Sequence, residues 1–178
     1  MKKLDQRIGA TINLIKLPQN NVFEFNFDQD TDWVKDLLIE LNENATDKSP
    51  EEYLKETSLT LSGEVVKKHR EEMGEYLLLT ANITAHYVTE CVRTLKPMSM
   101  DLEVPVKICF VDEGFAETEL FTDADDTYVD NEMWDLYFYN KRSVDFKEVI
   151  HEQIFLNYEQ YPVLDSDSPL ILGENEVN

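Results

Sequence analysis

Two cysteines in 178 residues are too few to staple a small secreted fold. Cys91 and Cys109 offer one disulfide at most, and the reading adopted is two reduced thiols. Histidine is equally scarce. His69 sits in a charged turn, His86 on the polar side of a strand and His151 in a C-terminal helix, with no spacing that makes a ligand set. The five glycines are scattered, which excludes a phosphate-cradling loop of clustered backbone amides. No apolar run reaches the length of a membrane span. Met1-Lys2-Lys3 is followed by Asp5, Gln6 and Arg7 rather than an apolar signal core, so a cytoplasmic location is expected. No internal repeat is visible. Positive charge is short as well: 16 lysines and arginines stand against 37 acids, a formal charge of −21. Such a field repels nucleic acid and anionic membrane, and suits a basic protein partner.

What is present is a core. Apolar residues make up 42% and aromatics 11%, enough for one globular unit. The charge is uneven. Residues 1–20 carry Lys2, Lys3, Arg7 and Lys16 against Asp5 alone. Residues 112–135 hold ten acids and no lysine or arginine, and Lys67-Lys68-His69-Arg70 forms a small basic run.

Periodicity sets the organisation. Ile12, Leu14 and Ile15 predict a first strand, and Phe23, Phe25 and Phe27 alternate with polar residues as a half-buried second. Asp30-Thr31-Asp32 supplies capping oxygens for a helix whose apolar face is Trp33, Val34, Leu37, Leu38 and Leu41, ending at Asn42-Glu43-Asn44. Ser49-Pro50 begins a short element. Leu59, Leu61, Gly63 and Val65 share a face; Leu77 to Tyr87 and Met98 to Phe110 alternate as two long strands. Tyr76 falls on the polar side of the first and Cys109 on the polar side of the second. Pro105 marks an edge or a bulge. Tyr128, Trp134, Leu136 and Phe138 return to the core. Asp145 and Glu148 have capping-box spacing ahead of a helical stripe of Phe146, Val149, Ile150 and Ile154. The expected fold is α+β: an antiparallel meander at 59–111, with closure into a barrel as a variant, and packed N- and C-terminal helices. Residues 1–165 form a single domain with an N-terminal strand and helix extension, and 166–178 a flexible acidic tail.

Glu90-Cys91-Val92-Arg93-Thr94-Leu95-Lys96-Pro97 lies between the two long strands and reads as a hairpin end. Cys91 falls on the apolar face, where a thiol acts as a small hydrophobe, while Arg93 and Lys96 are available to a partner. Val92 and Leu95 are expected to cover the sheet end. A Cys91–His86 nucleophile pair is not favoured, because the two point to opposite faces. Asp123 to Tyr128 lacks the acid–glycine–glutamate pattern of a calcium loop and reads as a solvated linker. No catalytic residue, metal or cofactor is assigned.

Three blocks resemble the YceD family of large-subunit ribosomal RNA accumulation proteins: residues 59–65, residues 74–97, and Val144 to Asn157 followed by Tyr161-Pro162-Val163. The resemblance spans residues 55–165. The family's knuckle, Cys-x-Arg-Cys-Leu-Glu-Pro or similar, is matched by Cys91, Arg93, Leu95 and Pro97, with Thr94 where the second cysteine is expected. Asp145, Phe146, Glu148, Glu152, Gln153, Ile154 and Leu156 match the closing block. Family members with paired knuckle cysteines and further C-terminal ones have thiolates for zinc. This chain lacks three of the four, so it is expected to fold without the metal. The resemblance implies a non-enzymatic role in large-subunit assembly or rRNA accumulation. On the charge argument the partner is a basic ribosomal or assembly protein held by an acidic surface. The alternative is direct rRNA contact through Arg93 and Lys96, joined by Lys67, Lys68 and Arg70. An RNA-processing hydrolase comes last. Oligomeric state is not legible.

Overall fold

Alternation of apolar and polar side chains builds the sheet, and two amphipathic helices cover one of its faces. The structure, a computed structural model, describes residues 2, 3, 10–122 and 124–164. The acidic tail at 166–178, Arg7 and Asp123 lie outside the described residues. In chain order the elements are β1 (Lys2–Lys3), β2 (Thr11–Asn13), β3 (Val22–Asp28), α1 (Asp32–Leu41), β4 (Ser58–Arg70), β5 (Gly74–Glu90), β6 (Pro97–Asp112), β7 (Asp126–Val129), β8 (Glu132–Tyr139), β9 (Ser143–Asp145) and α2 (Phe146–Asn157). The main sheet runs β1-β3-β4-β5-β6-β8-β7, and β2 pairs with β9 apart from it. Pairing is antiparallel except for β1 with β3 and β6 with β8, which are parallel. Among the described residues the sheet is open, with β1 and β7 at its edges, so no barrel closes.

The helical stripes fall where their spacing put them. Trp33, Val34, Leu37, Leu38 and Leu41 of α1, and Phe146, Val149, Ile150 and Ile154 of α2, pack on the Leu59–Val65, Leu77–Tyr87 and Val104–Phe110 faces. Each such side chain contributes about 2 kcal/mol of gross transfer free energy. Gly63 sits where β5 passes closely: a Cβ there would lie 2.2 Å from the Thr80 carbonyl oxygen. Pro105 lies in the stretch of β6 that has β5 on one side only, because β8 joins at Ile108. The missing N–H therefore falls in an edge stretch.

Several expectations are corrected. The first strand stops at Asn13; residues 14–16 turn as a 3₁₀ helix and Ile15 is exposed. The acidic stretch is not a solvated linker, because β7 lies within it and Phe121 and Val129 are buried. With Trp134 and Leu136 these cover the second sheet face above Tyr76, Leu78, Cys109 and Val111, so Tyr76 and Cys109 are buried. β8 joins the meander in parallel to β6, which strand alternation did not indicate. No helix among the described residues is long and apolar enough to cross a membrane.

Candidate functional site

The β5–β6 ladder closes at Glu90 opposite Pro97, and residues 91–96 form the connecting turn. The Cys91 amide donates to the Lys96 carbonyl at 2.9 Å, and the Leu95 amide to the Cys91 carbonyl at 2.9 Å. Leu95 takes a left-handed backbone, φ 55°, unusual for a branched side chain. Its side chain is 69% exposed and Val92 is also exposed, so neither covers the sheet end as expected. Lys96 and Pro97 are exposed and Arg93 is half-buried.

The segment after α2 clasps this turn. The Val92 amide donates to the Pro162 carbonyl at 3.0 Å. The Tyr158 hydroxyl bonds Thr89 at 3.1 Å and accepts from Asn44 at 2.7 Å, while its ring lies against Tyr87. Cys91 is fully buried beneath the turn. The Thr94 hydroxyl, then the Leu164 backbone, hold its thiol below the usual value, against the opposing pull of burial. Thr94 Oγ1 is itself buried without a well-aligned hydrogen bond, which leaves the sulfur as its polar neighbour. The residue standing at the second knuckle position thus acts on the remaining thiol. Burial pushes the Cys109 thiol up to about 12.

The basic run is at the other end of β5. From Tyr76 to Glu90 the strand covers roughly 45 Å at about 3.3 Å per residue, so the two basic patches form no common site. Lys67 is buried, 7% exposed, with its ammonium donating to the Leu14 carbonyl at 3.0 Å and facing Glu75 at 3.4 Å. Its position continues the 59-61-63-65 alternation, a signal present in the sequence. Lys68 and Arg70 point to the opposite face and both bind the Asp130 carboxylate, at 2.8 and 2.5 Å. Asp130 and Asn131 form the two-residue β7–β8 turn, both at positive φ as such a hairpin requires.

The acids of the closing block gather elsewhere. Asp145 caps α2, accepting from the Lys147 amide at 2.9 Å. Asp145, Glu148 and Glu152 line a groove of about 340 Å³ between α2 and β8, with Phe110, Tyr137 and Phe138 among its walls. Gln153, buried at 8% exposure, donates to Asp135 at 3.3 Å and to the Tyr137 hydroxyl at 3.2 Å. That hydroxyl donates to Glu152 at 3.0 Å. The Glu152-Gln153 pair thereby orients the Tyr137 hydroxyl and two carboxylates. Among the described residues, no three His, Cys, Asp or Glu side chains gather as a metal site.

The turn at 91–97 and the segment from 158 to 164, distant in sequence, are therefore one structural neighbourhood, while Asp145, Glu148 and Glu152 line a separate groove. The fold and this neighbourhood define a class: an α+β protein with helices on one sheet face, a clasped hairpin end and an acidic groove. More specifically, residues 79–177, over half the chain, match the family described as large ribosomal RNA subunit accumulation protein YceD, and the chain belongs to that family. The match begins within β5 and leaves the 59–65 block outside it. No curated protein and no solved structure matches. The family is one of non-enzymatic accumulation factors, a role related to ribosome biogenesis.

Proposed function

We propose that this protein supports large-subunit assembly or rRNA accumulation by holding a basic ribosomal or assembly protein on its acidic surface, with residues 10–164 acting as one folded unit. The observation that carries this reading is the state of the cations. Of the residues offered to RNA phosphates, Lys67 is buried, and Lys68 and Arg70 share the Asp130 carboxylate. Lys107 and Lys147 are likewise paired, with Glu132 and Asp36. An RNA backbone approaching this surface meets a −21 chain in which Lys68, Arg70, Lys107 and Lys147 must first be separated from their partners. A basic protein meets unpaired carboxylates and a field that speeds its approach.

Direct rRNA contact by Arg93 and Lys96 is the competing reading. It is favoured by exposed Lys96 and by Tyr161, 73% exposed on the clasping segment, where a base can stack. The test is affinity capture from lysate with and without nuclease, using the wild type and the Arg93→Ala/Lys96→Ala double variant. A basic ribosomal or assembly protein recovered equally after nuclease, and by both forms, is the expected result. Loss of recovery after nuclease or in the double variant would transfer the role to the hairpin and to RNA.

A further inference from the structure

We propose that the outer edge of β7 takes an extended, arginine- or lysine-bearing segment of the partner protein, added as a further strand of the main sheet. The inference rests on the protein-partner reading above and names the place and the chemistry.

β7 ends the sheet and has a strand on one side only. The hairpin register fixes which of its backbone groups are left over. β7 and β8 turn on two residues, Asp130 and Asn131, which makes Val129 and Glu132 a hydrogen-bonded pair. Bonded pairs then recur at Thr127 with Trp134 and at Asp125 with Leu136, and the Leu136 amide donates to the Asp125 carbonyl at 2.9 Å. The intervening residues, Asp126 and Tyr128, therefore point both N–H and C=O away from β8. Both residues are exposed, and among the described residues nothing bonds these outward groups. Such an edge is a template for an incoming extended chain.

The side chains beside the edge select that chain. Thr127, Val129 and Trp134 are buried on the Cys109 side of the sheet, so Asp126, Tyr128, Met133 and Asp135 share the side that carries α2. Tyr128 and Met133 stand opposite each other, 67% and 57% exposed, an apolar pair left in water at the end of the sheet. Asp126 stands opposite Asp135, which sets like charges in the close, non-hydrogen-bonded position. Neither forms an ion pair among the described residues. Residues 112–135 contain no lysine or arginine. The cations nearest the hairpin, Lys68, Arg70 and Lys107, lie on the Cys109 side, held by Asp130 and Glu132. An arginine or lysine on an added strand, opposite Tyr128, lays its aliphatic stem along the ring and brings its charge to the facing aspartates. A second copy would set the same acidic strand against this one. An RNA strand brings negative charge and no ladder of amides.

The test uses the full chain and a short, capped, fluorescent peptide alternating arginine and threonine, read by anisotropy at low salt. The wild type should bind it and should not bind a glutamate–threonine peptide of the same length. With the basic peptide bound, the Asp126 and Tyr128 amides should exchange with deuterium about tenfold more slowly, as new ladder bonds require. Asp126→Pro removes an outward N–H at the first residue of the strand and leaves the β8 ladder intact; it should weaken binding by about tenfold. Asp126→Asn removes the charge alone and should weaken it by about threefold. Glu117→Asn, which lowers the net charge equally away from the edge, should stay within about twofold of wild type. Unchanged exchange at Asp126 and Tyr128, or equal weakening by Asp126→Pro and Asp126→Asn, overturns the edge; the acidic-surface reading then stands or falls on the capture experiment. No binding of the basic peptide by the wild type, or equal binding of the acidic one, also overturns it. Self-association that Asp126→Pro abolishes would assign the edge to a second copy and overturn the proposal.

Discussion

Replacing Asn42 should loosen the end of the sheet that carries the clasped turn. β4 begins at Ser58 opposite His86, so beyond that point β5 has no strand on its β4 side. The Asn42 side chain stands in for one. Its oxygen accepts from the Val88 amide at 2.9 Å and its amide donates to the Thr57 hydroxyl at 3.3 Å, and Asn42 is fully buried. Asn42→Ala leaves the Val88 N–H buried and unsatisfied, at about 1–3 kcal/mol, and also removes the Thr57 contact. The sum is about 3 kcal/mol, a large share of the roughly 5–15 kcal/mol that holds a typical domain. For a chain of this length it lowers Tm by about 6–12 °C. Thr57→Val removes the Asn42 contact together with the hydroxyl's own bond to the Tyr53 carbonyl at 2.9 Å, but leaves the Val88 amide satisfied, and should cost about 2 kcal/mol. Asn42→Asp keeps the acceptor but buries a charge, so its defect should be greatest at neutral pH and shrink on acidification, as the introduced carboxyl protonates. Urea unfolding followed by tryptophan fluorescence and far-UV circular dichroism measures all three. An Asn42→Ala variant within about 0.5 kcal/mol of wild type, below the smallest loss of a buried partner, would refute the stand-in role.

Two further outcomes follow from the same structure. Both thiols are fully buried, so Ellman's reagent should label neither in the native protein and both after denaturation, even though the Thr94 hydroxyl and nearby backbone lower the Cys91 value; rapid native labelling of Cys91 would show the clasp to be open. Lys68, and after it Arg70, hold the Asp130 carboxyl below its ordinary 3.8. The stability this ion pair lends is whole above that value and disappears as pH falls through the lower folded one. The difference in urea midpoint between wild type and Asp130→Asn should therefore be present at pH 6 and vanish well below pH 3.8; an unchanged difference would remove the pair as its cause.

The sequence by itself determined the elements. Alternation located β3, β4, β5 and β6, and the helical stripes located α1 and α2 with their buried faces, because which side of its own backbone a residue points to is a local property. It also placed the turn at 91–96 and put Cys91 on the apolar side. It did not show what covers each face. Tyr76 and Cys109 sit on the side that alternation marks polar, yet the 112–135 segment folds over them, a contact made by chain more than ten residues away. β8 pairs in parallel with β6 after a long excursion, and no local pattern distinguishes that from an antiparallel return. Lys67 was legible in register but not in charge: an ammonium enters the interior only because the Leu14 carbonyl and Glu75 wait there. The candidate sites divide the same way. Motif spacing picked out Cys91, Arg93, Asp145, Glu148 and Glu152, but only the tertiary structure brought Pro162 against Val92 and set the carboxylates on a groove between α2 and β8. Backbone hydrogen bonds between segments seventy residues apart depend on how the whole chain closes, and a local pattern carries no record of that.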